Sequence, residues 1–366
     1  MVENQYDIDV MQKEIALIPS VIKKTILDDG GHIHSLAKSI VDTGISSIWL
    51  TGCGDSAFAG LAAALSFNKN AQIPTQGIHA LELARYKVRY LPEKSLVIAL
   101  SFSGKVGRTT EAVINARRFG HRTVALTNAP EGQLGSAASE ILPISVPTLG
   151  FSPGTSTYVG MLATLLCLSA EIALLKGNPA PRAELEGLTS LAEETLELSR
   201  LSSVKVAKKL FEHTWIAFIG AGPNEATAKF GAAKLFEGPQ RVGIATNIEE
   251  WAHEEYFVSE AGTPVVVIAP SGASFDRAEE IISELNFIGA IPIIISEQDW
   301  GAIDFQLRIA IGAPEELSPI LTCLPLALVG FHLAQLSGKQ SYNFKNEATR
   351  IEHYETIHRA TVGEPA

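Results

Sequence analysis

The stretch FIGAGPNEATAKFGAAKLFEGPQRVGIATNIEEWAHEEY, residues 218–256, decides how the chain is read. It opens with a short apolar run and a glycine pair, Gly220 and Gly222, and passes into a helical stretch carrying Lys234 and Glu237. Gly238 and Pro239 stop that helix, because proline cannot continue it and disfavours helical geometry in the residue before itself. His253 lies sixteen residues after Glu237. A carboxylate, an imidazole and a glycine turn suited to phosphate point to proton transfer on an anionic substrate.

Working outward, the same pattern occurs earlier. IWLTGCG (48–54) reads as a buried strand running into a glycine turn, with a helix beginning near Ser56. SLVIALSFSG (95–104), TVALTN (123–128) and ILPISVP (141–147) read as further strands, TTEAVINARRFG (109–120) as a helix, and 155–177 as a long apolar helix. Gly52 and Gly54 recur as Gly220 and Gly222, and Ser103-Gly104 as Ser271-Gly272, both shifted by 168; Gly120 recurs as Gly289, shifted by 169. Landmarks at one offset predict two copies of one βα domain. Short buried strands alternating with helices predict an α/β fold, each copy a parallel sheet flanked by helices in three layers. The expected divisions are a helical segment at 1–30, a first domain at 31–178, a connector helix at 179–200, a second domain at 201–340 and a tail at 341–366.

The bulk numbers narrow the function. The 366 residues are 46% hydrophobic and 19% charged, the make-up of a globular chain with a large core. The net charge of −11 argues against nucleic acid and against an anionic membrane surface. Cys53, Cys167 and Cys323 are sparse and form no metal-ligand pattern, which fits a reducing cytoplasm and no metal. The polar, acidic N-terminus reads as no signal peptide. The apolar run 319–336 contains two prolines and His332 and reads as a buried helix.

Two stretches of the first copy could hold an anion. GCGDS (52–56) brings Gly54, Asp55 and Ser56; SFSGKVGRTT (101–110) brings Ser101, Phe102, Ser103, Lys105, Val106 and Arg108. Glycines let the backbone approach, helix-start amides attract negative charge, hydroxyls donate, and Lys105 and Arg108 supply charge. Each stretch alone also reads as an ordinary strand-to-helix turn. A third turn, GFSPGTSTYVG (150–160), adds Ser152, Thr155 and Ser156 as donors. The second copy keeps the glycines and loses hydroxyls, so the first is expected to bind and the second to supply chemistry. Glu237, at a helix's negative end, is a candidate base whose pKa is expected to rise if desolvated. It also reads as a solvated helix-end glutamate. His253 also reads as a surface histidine, and Lys234 as one half of a surface ion pair with Glu237.

Over roughly residues 40–350 these motifs resemble the double-SIS (sugar isomerase) proteins, which include the isomerase half of glucosamine-6-phosphate synthase, amino-sugar-phosphate deaminases and deglycases. GCGDS is similar to the family's CGTS-like segment and SFSGKV to its SQSGET-like segment. The resemblance makes Ser56, Ser101 and Ser103 phosphate-binding and matches Thr155 to a threonine before the long helix. Lys234-Leu235-Phe236-Glu237 resembles the end of the catalytic helix, which implies Glu237 as catalytic glutamate. His253 corresponds to a histidine that reaches into a neighbouring subunit, so the resemblance implies a homodimer with shared sites. Glu254-Glu255 stand where the family has Gly-Pro, and Lys105 and Val106 replace a glutamate and a threonine. A gapless comparison puts Thr349 at the family's ring-opening lysine, with Lys345 and Arg350 nearby; the tail also reads as an amphipathic helix packing a dimer.

The implied function is a phosphosugar isomerase moving a proton between carbons 1 and 2 of a hexose 6-phosphate or amino-hexose 6-phosphate. Coupled deamination or deglycation is open, no cofactor is expected, and glutamine-dependent amination is not expected of this sequence. The alternative is a non-catalytic sugar-phosphate-binding regulator; a sulfonated sugar is a further option.

Overall fold

Apolar runs closed by glycine, serine or threonine are stable only when both faces are covered, and here they assemble into two parallel sheets. The computed structural model describes residues 7–28, 31–338, 347–357 and 361–366. It divides into two compact units. The first unit holds Ser20–Pro147, Ser156–Glu186 and Phe344–Ala366; the second holds Met1–Pro19, Thr148–Thr155 and Gly187–Asn343. The division falls inside the opening helix α1 (Ile8–Leu27).

In the first unit β1 (Ser47–Gly52), β2 (Thr75–His79), β3 (Ser95–Leu100), β4 (Arg122–Thr127) and β5 (Glu140–Pro143) pair in the order β2-β1-β3-β4-β5, all parallel. Helices α2 (His32–Thr43), α3 (Asp55–Ser66), α4 (Ala80–Glu82), α5 (Gly107–Arg118), α6 (Gln133–Ala137), α7 (Ser156–Leu175) and α8 (Ala180–Glu186) accompany it. The second unit contains α9 (Leu188–Phe211), α10 (Pro223–Glu237), α11 (Ile248–His253), α12 (Phe275–Phe287) and α13 (Ser318–Ser337). Its strands are β6 (Trp215–Gly220), β7 (Val242–Asn247), β8 (Pro264–Ile268), β9 (Ile291–Ser296) and β10 (Phe305–Arg308), in the order β10-β9-β8-β6-β7. A last helix, α14 (Glu347–Ile357), belongs to the first unit.

Read from its other edge, the second sheet runs β7-β6-β8-β9-β10, the order of the first with β6 in the place of β1. The internal repeat predicted from the glycine spacing is therefore a repeat of topology. It extends to backbone detail. Gly54 (φ 54°, ψ −133°) and Gly222 (φ 53°, ψ −130°) enter α3 and α10 through the same conformation, one that a side chain would strain.

The central strands are the apolar ones. All of β3 and β8 is buried, as expected for strands covered on both faces. The edge strands β2, β7 and β10 are only partly buried. α7 and α13 are long and apolar enough to cross a membrane by length and composition, but 83% and 89% of their apolar windows are buried inside the fold. The run 319–336 is thus a core helix. Residues 179–200, expected as a connector, hold α8 and the first half of α9, which continues to Phe211.

α10 packs closely on α13 because small residues line the crossing. A Cβ at Gly231 would sit 2.9 Å from Leu326 Cδ1, and one at Gly330 would sit 3.0 Å from the Cβ of Lys234. These glycines bring the α13 backbone against the side chain of Lys234.

Candidate functional site

In the second unit the site grows from the end of α10. Lys234 and Glu237, three residues apart, share one helical face, and Lys234 Nζ donates to Glu237 Oε2 at 2.7 Å. The same ammonium donates to the Gly154 carbonyl at 2.8 Å and lies 4.8 Å from the centre of the Phe230 ring. Lys234 is completely buried, whereas the Glu237 side chain is 31% exposed. The pair is therefore no solvated surface ion pair. A buried ammonium is tolerable only with such partners, and they fix the direction in which Glu237 is held. α10 ends at Glu237 because Gly238 leaves helical geometry (φ −89°, ψ −85°) while its N–H still bonds the Lys234 carbonyl at 3.1 Å.

Sequence reasoning missed Glu14. It sits in α1 among the buried residues Met11, Ile15 and Ile18, and is itself only 3% exposed. Burial pushes its carboxyl up to about 7; hydrogen bonds from the Thr155 side chain and backbone, the Lys234 charge and the Ser152 hydroxyl pull the other way. The signal was there: a carboxylate three residues after Met11 and four before Ile18 falls on the apolar stripe of the helix. Thr155, expected in the anion cradle, is fully buried and its hydroxyl donates to Glu14 Oε2 at 3.3 Å. Its hydroxyl thus serves an interior carboxyl.

His253 ends α11 with a side chain 67% exposed. Its Nε2 lies 3.2 Å from Glu249 Oε1, and Arg277 Nε donates to Glu249 Oε2 at 2.7 Å. The histidine is paired with Glu249 and not with Glu237.

In the first unit the predicted cradle lies at the carboxyl ends of the adjacent strands β1 and β3. Gly54 caps α3, Asp55 is its first residue, and Ser56 is buried with its hydroxyl 3.4 Å from Met161 Sδ. Ser101 is 1% exposed and its hydroxyl has no hydrogen-bond partner among the described residues; the same holds for the buried hydroxyls of Thr51 and Ser156. Ser103 is exposed, and its hydroxyl accepts from the Lys105 N–H at 3.4 Å. The Phe102 carbonyl accepts from the Asn128 N–H at 3.1 Å, which fixes the turn. α5 begins after Val106 with no side-chain cap and no acidic residue in its first turn, so its N-terminal dipole is not offset there. Lys105 is exposed at this end.

Arg108 is used differently from the expectation. It pairs with the wholly buried Glu111, and its Nη2 donates to Thr361 Oγ1 at 2.8 Å. Glu111 also accepts from Arg85 Nε at 2.9 Å and from the Gly363 N–H at 2.7 Å. A buried carboxylate demands such donors, so Arg108 helps hold the chain's last residues. Of the two tail candidates, Lys345 lies outside the described residues. Arg350 falls in α14, but its side chain also lies outside the description.

Residues 44–170, which span the first sheet and its cradle, match the family model described as the SIS domain. A glutamine–fructose-6-phosphate aminotransferase (isomerizing) of Zymomonas mobilis is 26% identical to this chain over 355 residues, covering 93% of this chain and 58% of the relative. The chain thus spans somewhat over half the length of the curated relatives it matches. Among solved structures, the C-terminal domain of glucosamine-fructose-6-phosphate aminotransferase from Francisella tularensis superposes with a TM-score of 0.76 at 21% identity, covering 90% of this chain and 97% of that one. A glucosamine-6-phosphate deaminase from Thermotoga maritima gives a TM-score of 0.69 at 21% identity, covering 91% and 96%. These likenesses span both units, and so establish the two-unit α/β fold.

Proposed function

We propose that this protein is an enzyme of the SIS family that moves a proton between carbons 1 and 2 of a hexose 6-phosphate or amino-hexose 6-phosphate. The observation that carries the reading is the Glu237 carboxylate, partly exposed at the end of α10 and held at 2.7 Å by a completely buried lysine. A base must be reachable by substrate yet fixed in direction, and this pairing supplies both. In the proposed cycle Ser101, Ser103, Lys105 and the uncapped start of α5 hold the phosphate. Glu237 takes the proton from one carbon and returns it to its neighbour through an enediol or enolamine. His253 of the partner subunit assists ring opening or protonates the leaving group; its high exposure in one chain suits that role and a homodimer. With an amine on carbon 1 or 2, the same proton transfer leads to deamination or deglycation. The names of the relatives, which include an isomerizing aminotransferase and a deaminase, support this substrate class.

The test is a panel of hexose 6-phosphates, amino-hexose 6-phosphates and phosphorylated ketosamines read by mass spectrometry, with wild type and Glu237→Gln. Turnover by wild type and a loss of about 10²-fold or more in the variant is expected of a general base. Binding without turnover of any member would instead support a phosphosugar-binding regulator. Mixing Glu237→Gln with His253→Ala protein should restore part of the activity if sites are shared, and no recovery would contradict sharing.

A further inference from the structure

We propose that Glu14 is a positioning residue for the proton-transfer site: it anchors the 152–155 turn, the turn holds Lys234, and Lys234 holds Glu237. This rests on the reading of Glu237 as the base. The contacts form an unbroken series within the second unit. Thr155 Oγ1 donates to Glu14 Oε2 at 3.3 Å, with further hydrogen bonds to the Glu14 carboxyl from the Thr155 backbone and Ser152. The carbonyl of Gly154, next in the chain, accepts from Lys234 Nζ at 2.8 Å, and that ammonium donates to Glu237 Oε2 at 2.7 Å. Gly330 of α13 and Met11 of α1 close the same space from the other side: a Cβ at Gly330 would meet Lys234 Cβ at 3.0 Å and Met11 Cε at 3.6 Å.

A carboxyl is an expensive choice for this position. Met11, Ile15 and Ile18 fill the rest of the stripe, and a further apolar side chain would bury at less cost. What the carboxyl adds is an acceptor for the turn and a charge that can be switched. The charged group acting on it is Lys234 of α10; the 148–155 loop contributes the neutral donors Ser152 and Thr155. Despite those donors, burial holds its pKa near 7. Below that value Glu14 is neutral and the Lys234 charge goes to Glu237. Above it two carboxylates draw on one ammonium, and the grip on Glu237 loosens. Proton transfer should therefore fall as Glu14 ionises.

The experiment measures kcat and KM from pH 5.5 to 8.5 for wild type, Glu14→Gln and Glu14→Ala, on whichever phosphosugar the panel identifies. Glu14→Gln mimics the neutral carboxyl and should keep wild-type kcat at pH 6 while abolishing the fall near pH 7. Glu14→Ala should lower kcat about 10-fold or more with KM little changed, because the turn loses its anchor and the base its placement. A Gln variant with the wild-type pH profile, or an Ala variant with wild-type kcat, overturns the proposal. Carbon-13 NMR of labelled glutamate carboxyls, assigned by loss of a resonance in Glu14→Gln, needs no turnover. It should show a Glu14 midpoint near 7 that moves upward in Lys234→Met, since the cation that favours the carboxylate is gone. A midpoint near the ordinary carboxylate value, or one unmoved by Lys234→Met, breaks the series of contacts. If instead Glu237→Gln retains full activity, the base reading fails while the NMR titration still decides the placement of Glu14.

Discussion

The two units repeat one backbone and fill its second turn differently. Each has the same strand order, and the two first-turn glycines, Gly54 and Gly222, agree to within a few degrees. The second turns, SFSG at 101–104 and APSG at 269–272, also correspond. In the second unit the protein's own carboxylates occupy that turn. Ser271 N–H donates to Glu297 Oε1 at 2.7 Å and Ala273 N–H to Glu315 Oε2 at 3.1 Å. Gly272 makes room for this, since a Cβ there would fall 2.4 Å from Glu315 Cδ. The helix that follows, α12, also carries Asp276 in its first turn. The corresponding turn of the first unit has hydroxyls, Lys105 and an α5 start free of acidic residues. A strand-to-helix turn of this kind offers an anion seat each time it is built. Where an internal glutamate takes the seat, an external phosphate has no place, and the proposed function gives that unit the proton transfer instead.

That contrast can be broken at several points. The largest expected effect is in the interior of the second unit. The Glu14 pKa rises from 4.5 to about 7, so the folded state holds a proton that the unfolded chain has released between those values. Wild type therefore loses stability as pH rises from about 4.5 to 7, by about 3 kcal/mol in total, and loses no more from this group above that. Glu14→Gln removes the dependence, and its urea-unfolding advantage over wild type should grow from pH 5 to pH 8 by most of that amount. An advantage independent of pH would contradict the assignment. Next, Lys234→Met removes the ammonium aimed at Glu237. A fall of about 10²-fold in kcat is expected, the usual cost of a misplaced group, with KM little changed.

The first unit should respond in binding. Ser101→Ala with Ser103→Ala removes two donors to a charged group, and affinity for a hexose 6-phosphate, measured by calorimetry, should drop about 10- to 100-fold. The smallest effect belongs to the internally filled turn. Glu315→Ala should cost about 1 kcal/mol of stability, the worth of one hydrogen bond, and leave phosphosugar affinity unchanged. A loss of affinity there would erase the distinction between the two turns.

The core of each sheet was legible because its central strands are covered on both faces and read as unbroken apolar runs. SLVIAL (95–100) and PVVVI (264–268) are such segments. TQGIH (75–79), VGIATN (242–247) and FQLR (305–308) escaped notice, and all three are edge strands with partly exposed, mixed side chains. The pairing of Lys234 with Glu237 followed from helical spacing, but its burial did not, because that depends on Gly330 in a helix nearly a hundred residues later. Glu14 and Thr155 meet across 141 residues of chain, a contact no local pattern encodes. Arg108 looked like a phosphate ligand for the same reason: its partners Glu111 and Thr361 include one that only the folded tail supplies.

The central claim is that Glu237 moves a proton at carbon 2 of a phosphorylated sugar. The measurement that tests it most directly is incorporation of solvent deuterium at that carbon during incubation with a hexose 6-phosphate or amino-hexose 6-phosphate in heavy water. The account predicts incorporation by wild type and a loss of about 10²-fold or more in Glu237→Gln with phosphosugar binding retained. Equal incorporation by the two proteins would contradict it.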